Sequence, residues 1–154
     1  MPGRTRVDIS GFELALDRWY EAQTHMWVQS VGGGRYRVGM DPLGVETCGT
    51  IAHLSISGVD GEVQAGHVFG QLEAAKFVGP LVSPVSGTLH QVNESAVADP
   101  GVVQRDPYGA GWLIEVEVSE PATLEAGLLR EADVIVAWFS DRIRRYRSEG
   151  VLAE

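Results

Sequence analysis

The chain has 154 residues and a formal net charge of −9 at pH 7, a length that suits one domain with its own hydrophobic core. The acidic balance argues against nucleic-acid binding, which needs a basic surface to neutralise phosphates, and no apolar run approaches the length of a membrane span. Nineteen glycines and seven prolines point to many turns and short strands rather than a helical bundle.

Residues Met1–Ser10 carry Arg4 and Arg6 but no apolar run. They do not read as a secretory signal, and the expected location is the cytoplasm. Cys48 is the only cysteine, so no intramolecular disulfide can form, which fits a reducing compartment. It reads as a small buried filler. The charge is uneven, with thirteen acidic residues from Glu46 to Asp133 and a basic run of Arg142, Arg144, Arg145 and Arg147. The acidic middle reads as a solubility feature. Steering towards basic partner surfaces is the alternative.

In chain order, Phe12–Leu16 alternates apolar and polar residues as an edge strand does. Trp19 and Tyr20 are expected to pack on the main body. Met26–Ser30 and Tyr36–Met40 read as two strands joined by Gly32-Gly33-Gly34, since glycine supplies positive φ without steric cost. Asp41-Pro42 is a helix start, with Asp as N-cap and Pro at the first helical position; Gly44 and Gly49 keep that helix short. Gly49-Thr50-Ile51 then opens a strand, and Gly87-Thr88-Leu89 opens another. The first is followed by a turn at Val59–Val63 and the strand Phe69–Glu73. The second is followed by a longer loop and the strand Gly111–Glu115. Asn93 and Glu94 are expected in a turn. This echo of strand, turn, strand agrees with two similar halves.

Ile114, Val116 and Val118 alternate with Glu115, Glu117 and Ser119, which predicts a half-buried strand with a wet acidic face. Ser119-Glu120-Pro121 starts one helical segment. A second runs from about Glu131 to Ser148, with Ile135, Trp138, Phe139, Arg142, Ile143 and Tyr146 at helical spacing and Gly150 as the stop.

Lys76 is the only lysine. It falls at the turn between Leu72 and the run Val78–Val82, with Gly79-Pro80 breaking the second run. A hairpin tip leaves the side chain accessible to a modifying enzyme. It is the wrong place for a Schiff-base nucleophile, which needs a desolvated lysine in a pocket. His25, His53, His67 and His90 lack metal-ligand spacing, and Ser83 and Ser86 have no His–Asp partners.

These residues also carry a resemblance. Glu73-Ala74-Ala75-Lys76 is similar to the Glu-Ser-x-Lys of the glycine cleavage system H protein family. Asp106-Pro107-Tyr108-Gly109-Ala110-Gly111-Trp112-Leu113 matches that family's Asp-Pro-Tyr-Gly-x-Gly-Trp-Leu throughout. Pro84-Val85-Ser86-Gly87, Val92-Asn93-Glu94, His25-Met26-Trp27-Val28 and Val38-Gly39 resemble further motifs in the right order, over Tyr20–Asp133.

The resemblance implies a mostly β, lipoyl-domain-like flattened barrel or sandwich of two quasi-symmetric halves, with a short internal helix and C-terminal helices. It divides the chain into an N-terminal extension (1–19), a lipoyl-carrier domain (20–130) and a C-terminal helical extension (131–154). It implies a non-catalytic carrier bearing lipoic acid in amide linkage on Lys76. Glu73 would be read by the lipoyl-attaching enzyme, and His25 would lie near the arm's resting cleft. The implied partners are a PLP-dependent glycine decarboxylase, an aminomethyltransferase and dihydrolipoamide dehydrogenase.

The chain departs from the family at Ala75, Gly79-Pro80, Thr50 and Met26. Its run Lys76–Pro80 looks more like the H-like lipoate-binding proteins of sulfur-oxidising, heterodisulfide-reductase-like pathways. That carrier is the alternative, and an H-like protein that is never lipoylated is a further rival.

Overall fold

The computed structural model describes residues 5–57 and 61–152. The chain opens with a hairpin of β1 (Arg6–Ile9) and β2 (Phe12–Ala15). Next come β3 (Trp19–Glu21), β4 (Met26–Gly32) and β5 (Arg35–Met40). Gly32, Gly33 and Gly34 all have positive φ in the β4–β5 turn, as expected. Helix α1 (Pro42–Cys48) follows, and the Asp41 side chain accepts the Gly44 N–H as N-cap.

Strands β6 (Ile51–Ile56), β7 (Glu62–Val63), β8 (Val68–Ala74), β9 (Val78–Val82) and β10 (Gly87–Val92) come next. Two short helices, α2 (Glu94–Ala98) and α3 (Gly101–Arg105), precede β11 (Ile114–Glu117). The chain closes with α4 (Ala122–Gly127) and α5 (Ala132–Ser148). The fold is mostly β with helices at the C-terminal end, as the sequence implied, but three short helices, α1, α2 and α3, lie inside the strand series where one was expected.

Six strands form one antiparallel sheet in the order β3-β4-β5-β11-β10-β7, and β6-β8-β9 form a second. The main core lies between them. Val28, Val38, Ile114 and Val116 from the large sheet meet Leu54, Phe69, Leu72 and Leu81 from the small one. A second cluster lies on the outer side of the large sheet. There Leu14 of the first hairpin, Tyr20, Trp27 and Leu43 pack with Ile135, Phe139 and Ile143 of α5.

Several local expectations change. The loop expected before β11 contains α2 and α3, and Asn93 stands at the N-cap position of α2 rather than in an isolated turn. Asn93 is held by tertiary contacts, its Nδ2 donating to the carbonyls of Ala110 and Trp112. Strand β11 begins at Ile114, not Gly111. Of the turn expected at 59–63, Val59 and Asp60 lie outside the described residues, while Glu62–Val63 pair with Gly87–Thr88 as a strand.

Gly79-Pro80 does not break β9. Pro80 pairs with Gln71 on a strand at the sheet edge, where proline's missing N–H has no ladder partner to lose. The acidic face of β11 is not wet at Glu115, which is 6% exposed. Arg37 of β5 donates to it at 3.3 Å and His90 of β10 lies 3.7 Å away, so neighbours on both sides compensate the buried carboxylate.

Candidate functional site

Lys76 sits at the tip of the β8–β9 hairpin, in a two-residue loop with Ala75. The Ala74 N–H donates to the Phe77 carbonyl at 2.8 Å and closes the loop. The two loop N–H groups are not left to solvent. Ala75 donates to Thr50 O at 2.9 Å and Lys76 to Cys48 O at 2.8 Å. The α1–β6 connection therefore clamps the tip from beneath.

Gly49, at the centre of that connection, has φ 75°, and a Cβ there would stand 3.2 Å from Lys76 Cγ. Glycine thus meets two demands at one position, the left-handed backbone and the passage under the lysine stem. Gln104 of α3 completes the clamp. Its Nε2 donates to Gly49 O at 2.9 Å and its Oε1 accepts the Ile51 N–H at 3.0 Å. The Lys76 side chain is exposed. It joins none of the ion pairs among the described residues, so neutralising its charge orphans no carboxylate.

Beside the tip lies a cleft of about 290 Å³. Its walls include Met26, Met40, Cys48, Phe77 and Pro80, and its polar members are Gln23, Thr24, His25, Thr47 and Tyr146. It follows α1. Cys48, at the helix C-terminus, adjoins the lysine, and Gly44, one turn earlier, touches His25. That separation is roughly 6 Å at the helical rise.

His25 is built in at every atom that could move it. Its φ is 59°, a left-handed conformation uncommon for a side-chain-bearing residue. Its Nδ1 meets Asp41 Oδ2 at 2.9 Å and its Nε2 meets the Tyr146 hydroxyl at 2.7 Å. Asp41 is fully buried, and its other oxygen accepts the Gly44 N–H at 2.8 Å. One carboxylate thus caps α1 and orients the imidazole. A Cβ at Gly44 would lie 2.6 Å from His25 Cβ. Gly44→Ala is therefore expected to cost about 1–3 kcal/mol, the range for overpacking. It should also shift the His25 ring resonances, and unchanged urea midpoint and His25 shifts would refute this close contact.

The motif residues around Trp27 have structural work. Its Nε1 donates to the carbonyls of Met40 and Pro107 at 3.1 and 3.0 Å. Its ring lies against Gly39, where a Cβ would collide with it. The Arg18 guanidinium stacks 4.4 Å from the Trp27 ring centre and donates to Tyr108 O at 3.0 Å. Tyr108 and Tyr20 share a hydrogen bond of 2.9 Å, and burial holds both phenols above their usual pKa. His25-Met26-Trp27-Val28, Val38-Gly39 and Asp106–Leu113 therefore converge on one hub that seats β4 and the cleft.

A family model described as Glycine cleavage H-protein matches residues 18–139. The chain belongs to the glycine cleavage H-protein family. Curated relatives named glycine cleavage system H protein include those of Mycobacterium avium (strain 104) and Corynebacterium jeikeium (strain K411). The first is 38% identical over 116 residues, covering 75% of this chain and 87% of the relative. The second is 39% identical over 119 residues, covering 75% and 90%. The crystal structure of a glycine cleavage system H protein from Mycobacterium marinum superposes with a TM-score of 0.64 at 36% identity, over 69% of this chain and 87% of that one.

Within this H-family chain, His25 adjoins the cleft beside Lys76, whereas Glu73 does not. Glu73 is exposed on β8 and lines a separate shallow surface with His53, Gln71 and Val78. Three contributors escaped the sequence reading. Asp41 read only as an N-cap and Tyr146 only as one face of an amphipathic helix. Gln104 lay in an expected loop and carried no signal.

Cys48 is a buried free thiol, as its sequence context predicted, but it also walls the cleft. Burial pushes its pKa up to about 11 from 9.0. The folded chain keeps the neutral thiol. This stabilising contribution is full below the unfolded value near 9.0 and is lost as pH rises towards about 11. Unlipoylated protein at pH 8 should therefore react with iodoacetamide far more slowly when native than in urea. Equal rates, followed by mass, would show the thiol to be exposed.

Proposed function

We propose that the chain is the lipoyl carrier of a glycine cleavage system, with lipoic acid in amide linkage on Lys76. The observation that carries this reading is the exposed lysine on a clamped two-residue tip, opening onto an apolar cleft that holds His25. A carrier needs a stiff base and a long arm. The lysine stem and lipoyl chain together reach ~14 Å from Cα, from ordinary single-bond dimensions. That span covers the cleft at rest and an active site of another protein when extended. Lipoic acid supplies a dithiolane that is opened reductively and reoxidised by thiol–disulfide chemistry. The chain's own residues hold the base, shelter the arm and present Glu73 to the lipoyl-attaching enzyme.

In this reading residues 20–130 are the carrier domain, with 1–19 and 131–154 as its extensions. The arm moves the aminomethyl group of glycine from a PLP-dependent glycine decarboxylase to an aminomethyltransferase, and dihydrolipoamide dehydrogenase reoxidises it. The setting is the cytoplasm. The relatives reported above bear the glycine cleavage name, and the sulfur-pathway alternative has no support among them.

The test is exchange of labelled bicarbonate into glycine by purified glycine decarboxylase. It should depend on this chain in its lipoylated form. No exchange from protein shown by mass to be fully lipoylated would overturn the glycine role.

A further inference from the structure

The family match ends at residue 139, yet helix α5 runs on to Ser148. That last stretch carries Arg142, Arg144, Arg145 and Arg147 on a chain of net charge −9. Packing divides them into two kinds. Arg144 pairs with Asp141 at 3.3 Å, and the Arg147 Nη2 donates to the Ser10 carbonyl at 3.2 Å. Arg142 and Arg145 join no ion pair among the described residues.

The helical period places these two. The rings of Trp138 and Tyr146 stand 5.4 and 5.6 Å from the His25 ring. Arg142 is one turn from each of them, on the same side of α5, and Arg145 follows one turn after Arg142 on that side. Burial raises the Tyr146 pKa and both arginines act to lower it, which puts the two guanidiniums within electrostatic reach of the phenol. Asp41 and Glu149 act on it in the opposite sense, and of these Asp41 is fully buried. Tyr146 in turn walls the cleft beside the Lys76 tip. Arg142 and Arg145 therefore make a basic rim at the base of the arm. Amide formation on Lys76 would remove that lysine's charge and leave the rim's own.

An enzyme that takes the arm has to bring its entrance within ~14 Å of the Lys76 Cα, so it covers the tip and this rim together. A guanidinium pressed against another protein loses water and needs a carboxylate opposite it, which its planar fork fits. On an acidic chain a local pair of cations also fixes orientation, because one docking pose alone matches it. We propose that Arg142 and Arg145 dock an acidic patch at the arm entrance of the glycine decarboxylase and so set the pose in which Lys76 delivers its arm. This rests on the proposed carrier function. The decarboxylase is the partner chosen because the arm reaches it oxidised and uncharged, leaving orientation to the protein surfaces. At the aminomethyltransferase the arm brings an amine of its own.

The test is the KM for the lipoylated chain in glycine–bicarbonate exchange, with lipoylation established by intact mass. Replacing both Arg142→Glu and Arg145→Glu should raise KM by about tenfold at low salt and leave kcat within about twofold, the pattern of a lost encounter rather than lost chemistry. The gap should narrow between about 0.01 and 0.15 M salt, as the screening length falls from about 30 to 8 Å. Arg144→Glu makes the same change of sign on the opposite side of α5 and should leave KM near the wild-type value. Should the double reversal fail to fold, Arg142→Gln with Arg145→Gln keeps the side chains polar and should raise KM in the same direction by about threefold. A KM that stays unchanged or falls, that rises equally in Arg144→Glu, or whose gap ignores salt overturns the proposal. A rise seen only with the aminomethyltransferase or dihydrolipoamide dehydrogenase overturns the choice of partner. Absence of exchange in the fully lipoylated wild type overturns the glycine role and this inference together, whereas normal exchange with an indifferent rim overturns this inference only.

Discussion

Lys76→Arg should abolish the lipoyl adduct and reduce glycine–bicarbonate exchange to the carrier-free rate. Lipoylation forms an amide, which needs a primary amine that can lose a proton and attack. The guanidinium of arginine stays charged and delocalised and does not serve. No other lysine is present to take over. The fold should not register the change. The side chain is exposed and outside the ion pairs, and the clamp uses the backbone N–H of residue 76, which arginine keeps. The stability change is therefore expected within about 0.5 kcal/mol. Intact mass, exchange and a urea curve on one preparation make the check. Residual exchange in the variant would move the functional group elsewhere and remove the basis of the proposed function.

Phe139→Ala should produce the largest stability loss. Ile135, Phe139 and Ile143 project from successive turns of α5 and are at most 1% exposed. Phe139 meets Phe12 of the first hairpin edge-on, with ring centres 6.5 Å apart, and Trp138 at 5.7 Å. Truncation removes the contact that ties both ends of the chain to the outer side of the large sheet. The expected cost is about 3–5 kcal/mol, a large share of a typical total stability of about 5–15 kcal/mol. The melting temperature should fall by about 10 °C for a chain of this size. A loss below about 1 kcal/mol would show that α5 is only loosely docked. Because α5 also brings Tyr146 to His25, the variant should perturb the His25 resonances of unlipoylated protein at a distance, whereas Lys76→Arg in the same unlipoylated form should leave them unchanged.

Much of this molecule was legible locally. A single lysine between two apolar runs, three glycines between two strands, Asp-Pro before a short helix and a three–four apolar spacing near the C-terminus each encode a local backbone choice. Each appeared where expected, because turn chemistry, capping and periodicity act within a few residues. Three of the ordered motifs, His25–Val28, Val38-Gly39 and Asp106–Leu113, meet at one hub, Trp27, whose ring and Nε1 contacts account for residues of those types.

Tertiary structure decided the rest. Alternation put Glu115 on a wet face, but β5 and β10 bring Arg37 and His90 beside it, and the carboxylate is buried between them. Pro80 read as a strand breaker until its place on a sheet edge removed the penalty. The clamp under Lys76 joins residues 48, 50 and 104 to the tip, and the cleft joins His25 to Asp41 and Tyr146. No period or spacing encodes those meetings. They follow from how two sheets and one long helix pack, since burial of apolar faces is non-directional and brings together whatever polar groups those faces carry. The sequence determined which residue can carry an arm; packing alone determined what the arm lies against.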